Sequence, residues 1–182
     1  MNAISGVTYE EFLDGIKFRE TQKFRQPLLW VFLGAISLIS ILVAALQAGA
    51  GVNVGNNPAP GIVLLMVVLI FGISLPLFFY FLAFTVEVKN DGIYYRFYPV
   101  QLTFRHIGWN ELRCVKPVTY RPLAEYGGWG IRYGRNGIAY NVSGAEGVRL
   151  IKKDRKQLLL GSQHADVLAM AVQKSGNIPE CG

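Results

Sequence analysis

Between Pro27 and Val86 the chain has no Asp, Glu, Lys, Arg or His. Ionisable side chains inside a membrane are the usual mark of ion and proton pathways, so their absence disfavours transport by this chain alone. Histidine and cysteine are scarce everywhere. The intervals between His106, Cys114, His164 and Cys181 match no metal-ligand spacing. Phosphate-binding loops are missing too. Gly128-Trp129-Gly130 is followed by Ile131-Arg132-Tyr133 where the dinucleotide fingerprint needs its third glycine, and no Gly-Lys-Ser/Thr occurs. Glu111, Glu125 and Glu146 are isolated, so no paired carboxylates suggest acid/base work. These gaps predict neither an enzyme, nor a cofactor, nor a bound metal.

What fills the uncharged stretch is apolar. Leu28 to Leu46 and Gly61 to Phe84 are continuous apolar runs, each close to or above the roughly 20 residues a helix needs to cross a bilayer. Gln47 to Pro60, rich in Gly, Asn and Pro, joins them as an outer loop. Lys17, Arg19, Lys23 and Arg25 precede the first run, Lys89 and Arg96 follow the second, and the loop has no basic residue, so both termini are expected in the cytoplasm of a multi-pass cell-membrane protein. Acidic residues before the first run and the lack of a cleavage pattern argue against a removed signal peptide. With cytoplasmic termini, Cys114 reads as a small sheet residue and no disulfide is expected. Trp30 and Tyr80 suit the headgroup level. Pro76 lacks an N–H and presses on the carbonyl of Gly72, which predicts a kink. Gly34, Ser37, Ser40 and Ala44 offer the first run a flat face for a neighbour, expected to be the second run.

Residues 1–26 read as a cytoplasmic amphipathic helical segment. Thr8 and Glu11 form a capping box, Val7 and Phe12 a staple, and Tyr9, Phe12, Leu13 and Ile16 share a helical face. Residues 27–84 are the transmembrane hairpin, 85–176 a cytoplasmic domain and 177–182 a tail. The domain alternates in short runs: Thr85 to Lys89, a turn at Asn90-Asp91-Gly92, Ile93 to Tyr98 closed by Pro99, Gln101 to Ile107, Leu112 to Tyr120, Gly130 to Tyr133, Ile138 to Val142, Val148 to Ile151 and Gln157 to Leu160. A helix starting near Ser162, with His164, Val167, Leu168, Ala171 and Val172 on one face, follows. The expectation is an α+β membrane protein with a bent antiparallel sheet or partial barrel of about seven strands, closed by the C-terminal helix.

Phe104-Arg105-His106-Ile107-Gly108-Trp109-Asn110-Glu111-Leu112 and the ending Leu158-Leu159-Leu160-Gly161-Ser162-Gln163 resemble prokaryotic PH-like domains. With Phe18 to Gln26 and Glu125 to Arg132 added, nearly the whole chain resembles an uncharacterised family of prokaryotic two-span membrane proteins carrying a cytoplasmic PH-like domain. That resemblance implies a PH-like fold and membrane anchoring, and it brings no catalytic residue, ligand or reaction. The basic loop of phosphoinositide-binding domains has no counterpart here, Lys89 standing alone in its turn.

The segment Tyr120 to Gly147 interleaves glycines with aromatics and arginines. Arg121, Tyr126, Trp129, Arg132, Tyr133 and Arg135 are its candidate ligand face, with tight turns and bulges as the alternative use of the glycines. From Thr85 onward 14 Lys and Arg face 8 Asp and Glu, and a basic surplus beside an anionic leaflet favours membrane apposition. Nucleic-acid binding is disfavoured because no reading motif accompanies the charge. The preferred reading is a non-enzymatic binding or scaffolding module, integral to the lipid bilayer, whose partner is a protein, a peptide or anionic lipid headgroups. The alternative is a structural subunit of a homo- or hetero-oligomeric membrane complex.

Overall fold

The computed structural model describes residues 15–49, 51, 59–134 and 137–181. The predicted capping box and staple, and Arg135, lie outside these residues. The chain forms two compact units: Phe24–Leu82, and a second made by the residues through Lys23 together with those from Ala83 onward.

In the first unit, α1 (Pro27–Ala48) and α2 (Gly61–Phe81) run 22 and 21 residues, long and apolar enough to cross a membrane. Pro27 opens α1 where its missing N–H costs nothing. Residues 68–74 of α2 are π-helical, and this is the form the irregularity expected before Pro76 takes. The Gly72 carbonyl, deprived of a donor by Pro76, accepts a hydrogen bond from Ser37 Oγ at 2.7 Å. Ser40 Oγ donates to the Ser37 carbonyl at 2.8 Å and lies 3.0 Å from where a Gly72 Cβ would stand, so the small face of α1 does meet α2. Gly34 takes no part, an added Cβ there meeting nothing within 4 Å. The second run ends at Phe81 rather than Phe84, because Ala83 and Phe84 already pair in a strand.

The second unit holds nine strands among the described residues, where about seven were expected. β1 (Phe18–Lys23), β2 (Ala83–Val88), β3 (Gly92–Tyr98) and β4 (Arg105–Gly108) form an antiparallel sheet in that order. β5 (Leu112–Thr119), β6 (Gly130–Gly134), β7 (Gly137–Asn141), β8 (Glu146–Lys152) and β9 (Gln157–Gly161) form the other, ordered β5-β8-β9-β7-β6 with β7 and β9 parallel. A 3-10 turn at Trp109–Glu111, the short helix α3 (Pro122–Tyr126) and the closing helix α4 (Ala165–Gly176) complete it. β1 corrects the predicted helical segment. Phe18 is fully buried, Gln22 is buried, and Arg19, Thr21 and Lys23 are exposed, a period of two that only pairing with β2 reveals. Of the expected strand 101–107 only residues 105–107 pair, together with Gly108, since Gln101 turns back to bond Phe97.

The inner faces of the two sheets meet around Tyr140, whose ring lies 6.0 Å from Phe84 and 5.0 Å from Tyr95. Helix α4 buries Leu168, Ala169 and Val172 and packs on β5, β8, β2 and β3. A polar clasp also ties the sheets. Glu20 accepts hydrogen bonds from Ser162 Oγ at 2.5 Å and the Gln163 N–H at 2.9 Å, while Gln22 Nε2 donates to the Gly161 carbonyl at 2.9 Å. Ser162 Oγ in turn accepts from the His164 N–H at the start of α4.

Cys114 and Cys181 form a disulfide, which overturns the expectation of none. Spacing along the chain could not reveal it. The tail comes back alongside β5, the Val115 N–H bonding the Pro179 carbonyl and the Cys181 N–H the Val115 carbonyl, and this brings the two cysteines together.

Candidate functional site

The glycine-rich segment is mostly architecture. Gly127 has φ +71° and ends α3 in the left-handed conformation that glycine adopts without strain. Gly137 lets β7 approach β9, where a Cβ would come 2.1 Å from the Gln157 carbonyl oxygen. Tyr126, predicted for the ligand face, instead belongs to a small core with Tyr120, Ala139 and Leu159 beneath α3, and burial pushes its phenol pKa up. Buried Asn141 holds this corner together, donating to Tyr120 Oη at 3.0 Å and accepting from the Gly130 N–H at 2.9 Å. Arg121 caps α3 through its backbone, its N–H bonding Glu125 Oε1 at 2.8 Å, and its side chain is exposed.

Of the remaining described candidates, Arg132 and Tyr133 lie on β6 and Trp129 directly precedes it. Trp129 is half-buried and donates its indole N–H to the Gly144 carbonyl. Arg132 Nε donates to the Trp129 carbonyl at 2.9 Å, and Tyr133 is 80% exposed. β6 is the last strand of its sheet and bonds to β7 alone among the described strands. The opposite edge of the same sheet, β5, carries the tail residues described above. One edge is therefore bonded by the chain's own tail, and the other has no strand beyond β6 among the described residues.

A second polar array lies on the outer face of the four-stranded sheet. Register places Arg19, Glu87, Tyr94 and His106 in one row across β1, β2, β3 and β4. Buried Glu87 pairs with Arg19 at 3.3 Å and Lys89 at 3.2 Å. Tyr94 Oη donates to Asp91 Oδ2 at 2.6 Å, which raises the tyrosine pKa and lowers that of the aspartate. The His106 ring rests 4.5 Å from Tyr94. A phenol held protonated by an ionised carboxylate is a latch on the β2–β3 turn rather than a proton acceptor. No sequence signal pointed to this row, since Arg19 stands before the apolar hairpin and the other members after it until the strands align.

No group of three or more His, Cys, Asp or Glu residues suited to a metal ion occurs among the described residues. A family model described as a family of unknown function (DUF6141) matches residues 9–128. No curated protein and no solved structure matches the chain.

Proposed function

We propose that this chain, which belongs to the DUF6141 family of unknown function, is a non-enzymatic binding module anchored in the cell membrane. In this reading α1 and α2 cross the bilayer as a hairpin, their basic flanks favour cytoplasmic termini while the Cys114–Cys181 disulfide, a bond typical of oxidising compartments, counts against them, and the two-sheet unit is a PH-like domain that engages a protein or peptide partner. The observation that carries it is the asymmetry of the five-stranded sheet. The β5 edge is bonded by residues 179–181, whereas no described strand pairs beyond β6, where Arg132 and Tyr133 are exposed. An extended peptide adding to β6 gains main-chain hydrogen bonds, and Arg132 and Arg121 favour acidic side chains along it.

A photo-crosslinking residue replacing Tyr133 in native membranes should yield a discrete adduct that Ile131→Pro abolishes, because proline removes a ladder donor. The same residue replacing Lys153 should yield none. An adduct that persists through Ile131→Pro, or no adduct at all, removes the β6 edge as the site. Oligomeric scaffolding is the weaker alternative, since Ser37 and Ser40 already serve packing within the hairpin.

A further inference from the structure

We infer that the loop of residues 98–104 inserts shallowly into the membrane interface beside the hairpin, giving the two-sheet unit a second contact with lipid. The inference rests on the membrane-crossing reading of α1 and α2. Tyr98, Val100 and Leu102 are 41%, 57% and 72% exposed, a concentration of apolar surface found nowhere else on the described part of this unit.

The loop is held from beneath so that these side chains face outward. Gln101 donates its backbone N–H to the Phe97 carbonyl at 2.7 Å, accepts from the Phe97 N–H through Oε1 at 3.2 Å, and sends its Nε2 to the buried Tyr140 hydroxyl at 3.2 Å. Arg96 lies 4.4 Å over the Phe104 ring and donates to the Leu102 carbonyl at 3.3 Å. Polar anchors fix the backbone while valine and leucine project away from the core.

Connectivity says what they project towards. Lys23, Ala83 and Tyr98 are neighbours in one row of the sheet. Helix α1 begins at Pro27 and α2 ends at Phe81, so at most four residues separate this row from either helix, a span of about 14 Å when fully extended. The sheet end that carries the loop is therefore tied to the bilayer surface. Apolar side chains held there at the rim, with a tyrosine and an arginine beside them, match the chemistry of the headgroup and acyl boundary.

The test uses the full-length chain in phosphatidylcholine and phosphatidylglycerol vesicles under non-reducing conditions, with an environment-sensitive thiol dye on Leu102→Cys and unsubstituted protein as the labelling blank. Leu38→Cys, within α1, reports the hairpin. Lys153→Cys reports the β8–β9 turn, at the other end of β9 from Gly161 and its bond to Gln22. Nitroxide-bearing lipid should at least halve emission at Leu102 and Leu38 and leave Lys153 unchanged, and adding Val100→Asp to the Leu102-labelled chain should return that dye to water-like emission. Quenching at Leu38 with none at Leu102 overturns the loop's insertion and leaves the hairpin reading intact. Quenching at Leu102 that survives Val100→Asp reflects mere proximity and also overturns it. No quenching at Leu38 removes the membrane-crossing reading and the loop's role with it.

Discussion

The apolar hairpin and the two-sheet unit satisfy their polar backbones in opposite ways. In α1 and α2 the backbone groups between the helix ends bond mostly within their own helix, and the Gly72 carbonyl, whose α-helical donor Pro76 lacks, is met by Ser37 from the neighbouring helix. In the sheets every bond is borrowed from another strand, so each sheet has edges whose fate must be arranged. A helix pair can thus be anchored by composition alone, whereas the five-stranded sheet has two unlike edges, one bonded by the chain's own tail and one with no described strand beyond it. On the proposed function, location resides in the first region and recognition in the second.

The largest expected effect sharpens the contrast between the edges. Cys181→Ser, or reduction of the wild type, should lower the denaturant stability of the sheet unit by about 4 kcal/mol on the chain-entropy account of a loop of this length, and it should raise amide exchange at Val115. Equal stability with and without the bond would mean that hydrogen bonding alone holds the tail. A smaller effect breaks the hairpin side. Ser37→Ala leaves the Gly72 carbonyl without its donor and should cost the hairpin about 1 kcal/mol in detergent, with the transition of the sheet unit unchanged. A shift of the sheet transition would contradict the division into two units.

The smallest concerns pH. Glu111 is held below its ordinary pKa of 4.5, first by the Gly108 N–H and then by Lys152. A lowered folded-state pKa means that the unfolded chain takes up the proton first as pH falls. This carboxylate therefore stabilises the fold above about pH 4.5 and loses its contribution as pH drops through the lower folded value. The pair is solvent-exposed, so Glu111→Gln should remove less than about 1 kcal/mol at neutral pH and flatten the acid limb of a stability titration. An unchanged acid limb would assign that limb to other carboxylates.

The sequence was most informative where a single element carries its own pattern. The alternation of Ile93, Tyr95 and Phe97 against Tyr94, Arg96 and Tyr98 places β3 to within a residue, and the run from Leu112 gives β5 nearly its full length. Legibility fails where a pattern needs a distant partner. β1 mixes charges in a way that suits a surface helix, and its identity as a strand depends on β2, which follows only after the whole hairpin. The disulfide depends on the tail's return to β5. In the candidate site, Arg132 does reach the Trp129 carbonyl, but Tyr133 follows it in β6 and so lies on the other face, and Tyr126, an aromatic among glycines, is core, since composition does not say which side of a turn a ring occupies. The row from Arg19 to His106 is invisible before register is known.

The central claim is that the hairpin crosses the membrane and holds the two-sheet unit on its cytoplasmic side. Protease added to intact cells and to inverted membrane vesicles, followed by detection of an epitope at the C-terminus, tests it most directly. The epitope should survive in intact cells and vanish in inverted vesicles, leaving a protected fragment that contains α1 and α2. Loss of the epitope in intact cells would contradict the account.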